Sequence, residues 1–94
     1  MIDLDMACKA AYEYFKNELQ IDGLAAVTED GAHWFFSGGV PGKPMIGNII
    51  LSVYKADGSI ETVDYLSDDG YELIHNSSIV ELPSIFAGKE DHNL

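Results

Sequence analysis

Acidic side chains are the residues best able to do chemistry in this 94-residue chain, and several of them are grouped in its second half. Residues 61–86 contain no lysine or arginine, and their acidic residues are Glu61, Asp64, Asp68, Asp69, Glu72 and Glu81. Neighbouring carboxylates can act as general acid and base. No pattern around them marks a pocket, so a solvated acidic face is the simpler interpretation.

The histidines and the single cysteine lack the spacing of a metal site or a catalytic centre. His33, His75 and His92 fall on three separate segments, and no two of them have the i, i+4 spacing of a helical zinc site. Cys8 lies on the predicted buried face of a helix, where a thiol is more often a core residue than a nucleophile. No serine lies in a glycine-flanked nucleophile elbow. We therefore expect no metal, no cofactor and no enzymatic activity.

Residues 37–44, SGGVPGKP, combine glycines and a lysine, as phosphate-binding loops do. A P-loop needs four residues between its glycines and a hydroxyl residue after its lysine. Here three residues separate Gly38 from Gly42, and Pro44 follows Lys43. The sequence predicts instead an exposed, flexible connection between two strands.

The N-terminal segment has the pattern of an amphipathic helix that would support a sheet. Its apolar residues recur at helical spacing over residues 4–19, and Asp3 and Asp5 suit a helix N-terminus. Asp22-Gly23 is typical of a helix end. We predict a helix over about residues 4–21.

Four segments have the pattern of antiparallel strands: residues 24–29, 33–37, 45–54 and 60–66. Residues 45–54 alternate, so that one continuously apolar face, including Leu51 and Val53, should meet the helix. The opposite face is mixed. Asp57-Gly58 predicts a hairpin turn. Ser67 is the predicted cap of a short second helix, and residues 79–82 are a possible extended piece.

The aromatic strand Trp34-Phe35-Phe36 must point its side chains to both faces of the sheet, because neighbouring strand residues alternate. One face serves the core beneath the helix. The other needs a cover, which could be the second helix, a second copy of the chain or a target. Aromatic residues ringed by acids form a plausible binding surface. Simple core packing is an equally good interpretation.

The formal net charge of −11 is concentrated in the second half of the chain. Such a field repels nucleic acid phosphates and attracts basic partners. Solubility alone is the alternative explanation. One cysteine, no signal-peptide pattern and no apolar run long enough for a membrane helix indicate a cytoplasmic protein.

Several short motifs in residues 4–66 follow the order found in one known family. They are a W-x-F strand at Trp34-Phe35-Phe36, a glycine/proline loop, a G-N-x-I pattern at Gly47-Asn48-Ile49-Ile50 and a K-x-D-G turn at Lys55-Ala56-Asp57-Gly58. On these motifs the chain resembles the small YrhB-like immunity proteins of bacterial polymorphic toxin systems. The resemblance implies a compact α+β domain that binds and neutralises a cognate toxin. It carries over no functional residues, because it rests on core and turn positions.

These elements predict an α+β fold, in which an N-terminal helix packs on a four-stranded antiparallel meander in a cystatin-like layout, with a short second helix. We expect one domain over residues 1–86 and a frayed polar tail over residues 87–94.

The sequence favours a non-enzymatic acidic binding protein, such as an immunity protein that neutralises a basic toxin. The predicted binding residues are Trp34, Phe35, Tyr54, Asp64, Asp68, Asp69 and Glu72. The alternative is a homo-oligomeric structural or small-ligand-binding domain that uses its mixed strand face as a dimer interface. Neither nucleic acid nor membrane is an expected partner.

Overall fold

A computed structural model describes residues 1–41, 43–44 and 49–88. Its elements, in order, are α1 (Leu4–Leu19), β1 (Leu24–Glu29), β2 (His33–Val40), β3 (Lys43–Pro44), β4 (Ile49–Tyr54), β5 (Ile60–Asp64), α2 (Asp68–His75), β6 (Ser78–Val80) and a 3-10 turn (Ser84–Phe86). The predicted α+β fold, with an N-terminal helix, a four-stranded meander and a short second helix, is confirmed.

The sheet has the strand order β5-β4-β2-β1-β6, and all of these neighbours are antiparallel. Strands β1, β2, β4 and β5 form the meander. The extended piece predicted at residues 79–82 overlaps β6 at residues 79–80, and β6 pairs with β1 and adds a fifth strand at the edge opposite β5. Short β3 pairs with the end of β2.

Helix α1 begins as its sequence predicts and ends slightly earlier. The Asp3 carboxylate accepts a hydrogen bond from Met6 N at 2.9 Å, which caps the first turn. The helix ends at Leu19, and Gln20 takes the left-handed conformation with φ 57°. The helix end predicted at Asp22-Gly23 is therefore a connection to β1 instead.

The core lies between α1 and one face of the sheet, which we call the helix face. Ala7, Cys8, Ala11 and Phe15 are buried on the helix side and pack with Trp34, Phe36, Leu51 and Val53 of the sheet. Small alanines in α1 allow the helix backbone to approach the sheet closely. The prediction that the apolar face of residues 45–54 meets the helix is confirmed for Leu51 and Val53, whereas Ile49 is 39% exposed.

The prediction of an exposed loop after Ser37 is wrong for residues 38–40, which continue β2. Gly38 and Gly39 are buried. A Cβ atom on Gly38 would lie 2.9 Å from Cδ1 of Phe15, so glycine is needed there for the helix to pack against the strand. Residues 43–44 form β3. Gly42 and residues 45–48, which include part of the predicted long strand, lie outside the described residues.

Helix α2 crosses the opposite face of the sheet, which we call the back face. It connects β5 at one edge to β6 at the other, and Ser77 Oγ donates a hydrogen bond to Thr28 Oγ1 of β1 at 2.8 Å. Gly70 and Ile74 of α2, and Ser77 just after it, follow one another at helical spacing and are the less exposed residues of this segment. They therefore mark the side of α2 that meets the sheet.

The end of the described chain packs against the start of the sheet. Ala87 forms a bridge to Leu24, and Gly88 N donates to Leu24 O at 3.0 Å. Of the tail predicted over residues 87–94, residues 89–94 lie outside the described residues. Within the part of the chain that the structure describes, no helix is both long and apolar enough to cross a membrane.

Candidate functional site

The strongest candidate site is the surface where β5 turns into α2, which we call the acidic corner. Its residues are Asp64, Tyr65, Leu66, Asp68, Asp69, Tyr71 and Glu72. They come from the end of β5, the two-residue turn after it and the first turns of α2. All of them are exposed.

Backbone hydrogen bonds fix the shape of the acidic corner. The Asp64 carboxylate accepts a bond from Leu66 N at 3.0 Å, and Asp64 O accepts bonds from Ser67 N at 3.1 Å and Ser67 Oγ at 2.8 Å. Ser67 Oγ also accepts from Gly70 N at 3.0 Å and so caps α2, as predicted. The predicted strand 60–66 accordingly ends at Asp64, because Tyr65 and Leu66 form this turn.

Gly70 lets the strand and the helix meet at this corner. A Cβ atom at this position would lie 2.0 Å from the carbonyl oxygen of Asp64 and 2.8 Å from Ser67 Oγ. No side chain can occupy that space without moving the turn. Although glycine lowers helix propensity, here it allows the close contact between α2 and the end of β5.

Two tyrosines and a histidine form an exposed aromatic row on the acidic corner. The rings of Tyr65 and Tyr71 are 5.8 Å apart and meet edge to face, while Tyr71 and His75 stack at 5.5 Å with an angle of 11°. Tyr71 is 49% exposed and Leu66 is 71% exposed. Tyrosine suits a protein interface, because its ring packs and its hydroxyl forms hydrogen bonds at the same time.

The acidic corner is a shallow, open surface. A depression of about 550 Å³ is lined by Tyr65, Leu66, Ser67, Asp68, Tyr71 and Glu72. A second depression of about 310 Å³ continues past Asp69 and Glu72 to Asp30 at the end of β1. Small-molecule sites are usually enclosed and apolar. An open surface of carboxylates and tyrosines fits a macromolecular partner better.

The carboxylates of the acidic corner have no cationic neighbour among the described residues. The ion pairs among the described residues lie outside the acidic corner. They join Lys55 to Glu29 at 2.6 Å and His33 to Asp30 at 3.2 Å. Within the same described ranges, no group of three or more His, Cys, Asp or Glu side chains could hold a metal ion. The acidic corner thus presents negative charge that the described part of the chain leaves uncompensated.

The structure places the seven predicted binding residues in three different settings. Asp64, Asp68, Asp69 and Glu72 lie together on the acidic corner. Tyr54 is 40% exposed near the turn between β4 and β5. Trp34 and Phe35 are buried, at 8% and 3% exposure.

Trp34 and Phe35 are buried, so they offer little surface for the partner contact predicted for them. Trp34 packs in the core beneath α1, and the Lys55 Nζ atom lies 5.0 Å from its ring centroid. Phe35 lies on the back face that α2 crosses, and its ring stacks with His33. The segment that follows α2 bonds Thr28, the neighbour of Phe35 across the β1–β2 ladder, so the second helix is the predicted cover for which this face shows a contact. Both rings therefore pack within the chain.

The exposed aromatic residues of the site, Tyr65 and Tyr71, were missed by sequence reasoning. Tyr65 lies within the strand predicted over residues 60–66, and Tyr71 lies on the predicted second helix, where no binding role is predicted for it. The i, i+4 spacing of Tyr71 and His75 was the available signal, since side chains at that spacing lie together on a helix surface.

A histidine–aspartate pair on the back face fixes the turn between β1 and β2. Partial burial alone would raise the pKa of Asp30, but bonds from Ala32 N at 2.9 Å and His33 N at 2.7 Å, together with the His33 ring, outweigh it and lower that pKa. Nearby Ser52 is buried, and among the described residues no hydrogen bond joins it to His33.

Cys8 is buried in the core as predicted. Its burial, followed by the negative charge of Asp5, raises the pKa of the thiol to about 11. Since the thiolate is the reactive form, Cys8 is a packing residue at neutral pH.

Comparisons of the chain with protein-family models, curated proteins and solved structures found no match. The likeness to YrhB-like immunity proteins therefore stays a prediction from short motifs.

Proposed function

We propose that the chain is a non-enzymatic binding protein whose acidic corner holds a basic protein partner. The immunity proteins that the sequence resembles supply the most specific form of the proposal, in which the partner is a basic toxin. The observation that carries it is the exposed aromatic row set among carboxylates that lack cationic neighbours in the described part of the chain.

Charge and packing would act at different stages of binding. The net charge of −11 attracts a basic partner over a distance and speeds the encounter. Tyr65, Tyr71 and Leu66 then supply apolar contact area, which stabilises the complex once water is excluded. The same charge opposes binding to nucleic acids.

Two triple variants with equal changes in charge test this proposal. The first is Asp68→Asn, Asp69→Asn and Glu72→Gln on the acidic corner. The matched control is Asp5→Asn, Glu13→Gln and Glu18→Gln, which removes the same charge from exposed residues of α1. Basic proteins retained by the immobilised chain at low salt are identified, purified and titrated calorimetrically against the wild type and both variants.

The proposal predicts that the first variant binds the partner at least about tenfold more weakly, while the control stays close to the wild type. Wild-type affinity should also fall as salt is raised, because salt screens exposed charges. Equal losses in the two variants would show that only net charge matters. No retained basic protein, or affinity that is indifferent to salt and to the first variant, would contradict the proposal.

A further inference from the structure

Strand β5 forms one edge of the sheet and leads directly into the acidic corner. It pairs with β4 through residues Ile60–Asp64 and has no strand on its outer side among the described residues. Four of its five residues are exposed, and Val63 is the exception. A strand edge of this kind is a template for another extended chain, because its outward backbone groups are unpaired.

The strand register identifies the groups that point outward. Tyr54 N donates to Ser59 O at 2.8 Å, so this opposed pair is hydrogen-bonded. Pairs alternate along an antiparallel ladder, so Ser52–Glu61 and Ile50–Val63 are hydrogen-bonded as well. It follows that Ile60, Thr62 and Asp64 direct their backbone N–H and C=O groups away from β4.

The hydrogen bonds between β4 and β2 support the conclusion that Ile60, Thr62 and Asp64 point their backbone groups outward. Lys55 N donates to Ala32 O at 2.8 Å, which makes Val53–Trp34 a hydrogen-bonded pair between β4 and β2. Val53 therefore cannot also bond Ile60. In the described residues, Asp64 O is taken by Ser67, which leaves the N–H groups of Ile60, Thr62 and Asp64 and the C=O groups of Ile60 and Thr62 for a partner.

Charge decides between the possible occupants of this edge. A second copy would place two chains of net charge −11 together along their most acidic segments. Glu61 and Asp64 lie on β5 itself, and Asp68 and Asp69 follow within the next turn. An extended segment rich in lysine or arginine meets complementary charge along the same line.

We propose that β5 accepts an extended basic segment of the partner, which adds a strand to the sheet and continues onto the acidic corner. The inference deepens the proposed function and rests on it. Backbone hydrogen bonds along β5 supply affinity, and the carboxylates select a basic chain. Edge strand β6 is a poorer template, because it spans three residues, Ser78–Val80, and lacks an acidic side chain.

Thr62→Pro tests the strand addition with little change to the sheet itself. Proline removes the outward N–H of Thr62 and is tolerated at edge positions whose N–H faces solvent. Thr62→Ala is the matched control, because it shortens the side chain and keeps the N–H. The probe is a peptide of alternating lysine and valine, as long as β5, and amide hydrogen exchange and affinity are measured by NMR on the full chain.

In the free chain, the amides of Ile60 and Thr62 should exchange rapidly and those of Glu61 and Val63 slowly. The peptide should slow exchange at Ile60 and Thr62 by at least about tenfold, and Thr62→Pro should weaken binding by a similar factor while Thr62→Ala does not. If Thr62→Pro fails to fold, a peptide N-methylated at alternate backbone nitrogens makes the same test on the unchanged protein.

The outcomes separate this inference from the proposed function. A peptide that shifts the signals of Asp68, Asp69 and Glu72 but leaves exchange at Ile60 and Thr62 unchanged would overturn strand addition and leave the acidic corner as the binding surface. A peptide that binds nowhere would contradict both. Dimerisation of the chain through β5, detected by sedimentation, would overturn the assignment of a basic occupant.

Discussion

At the scale of single residues, the chain uses its polar groups mainly to fix turns. Asp3 and Ser67 cap the two helices, and Asp30, Asp57 and Asp64 each accept a backbone N–H within three residues. In the described residues, every buried side-chain nitrogen or oxygen has a hydrogen-bond partner. Exposed polar side chains that do not cap a helix or fix a turn are therefore free to form hydrogen bonds with a partner.

Asp30→Asn should lower the free energy of unfolding by about 1 kcal/mol at neutral pH, because it weakens the bonds from Ala32 and His33. The pKa of Asp30 is lower in the folded chain than its usual value of 3.8. Its stabilisation is therefore complete above 3.8 and is lost as pH falls through the lower folded value. Urea denaturation at several pH values measures the difference between variant and wild type.

Glu18→Gln provides the charge-matched control for Asp30→Asn, because Glu18 is an exposed carboxylate of α1. Its effect on the urea midpoint should be small throughout. A stability difference for Asp30→Asn that persists unchanged well below pH 3.8 would show that the charged form of Asp30 contributes nothing.

At the scale of elements, the acidic corner depends on how α2 is docked. Gly70, Ile74 and Ser77 turn one side of the helix toward the sheet, and this leaves Tyr71 and Leu73 on the exposed side. A helix of eight residues has few contacts to fix its rotation. The close approach at Gly70 is therefore central to the position of the aromatic row.

Gly70→Ala should destabilise the chain by about 1–3 kcal/mol, although alanine ordinarily favours a helix over glycine. The added methyl group would meet the Asp64 carbonyl and displace the Ser67 cap. Thermal unfolding measures the loss, and the amide signals of Asp64 and Ser67 report the displaced turn. Gly31→Ala is the control, because no atom lies within 4 Å of its added methyl group. A gain in stability from Gly70→Ala would show that the turn has room for a side chain.

The helices and strands could be predicted, because the spacing of apolar residues along the chain differs between a helix and a strand. Helical spacing identified α1, and alternation identified the helix face of β4. The role of Gly38 could not be predicted, because the sequence does not distinguish a glycine needed for flexibility from one needed for close packing. The acidic residues of the site could be predicted, because charged side chains without local partners stay exposed. The tyrosines were not, because their exposure depends on the rotation of α2.

At the scale of the whole molecule, one face of the sheet holds the core and the other is crossed by a short helix. This arrangement leaves β5 and the start of α2 as a continuous acidic margin. The lysines of α1 lie elsewhere, in a depression of about 560 Å³ lined by Lys9, Tyr12, Glu13, Lys16, Asn17, Ile85 and Phe86. The molecule thus offers two surfaces of different charge, and only the acidic one fits a basic partner.

The most direct test of the binding proposal is an NMR footprint of a purified basic partner on the isotope-labelled chain. We predict that signals of residues 64–72 change on binding, and that signals around Lys9 and Lys16 stay in place. A footprint centred on the depression between α1 and the 3-10 turn, with residues 64–72 unaffected, would contradict the account.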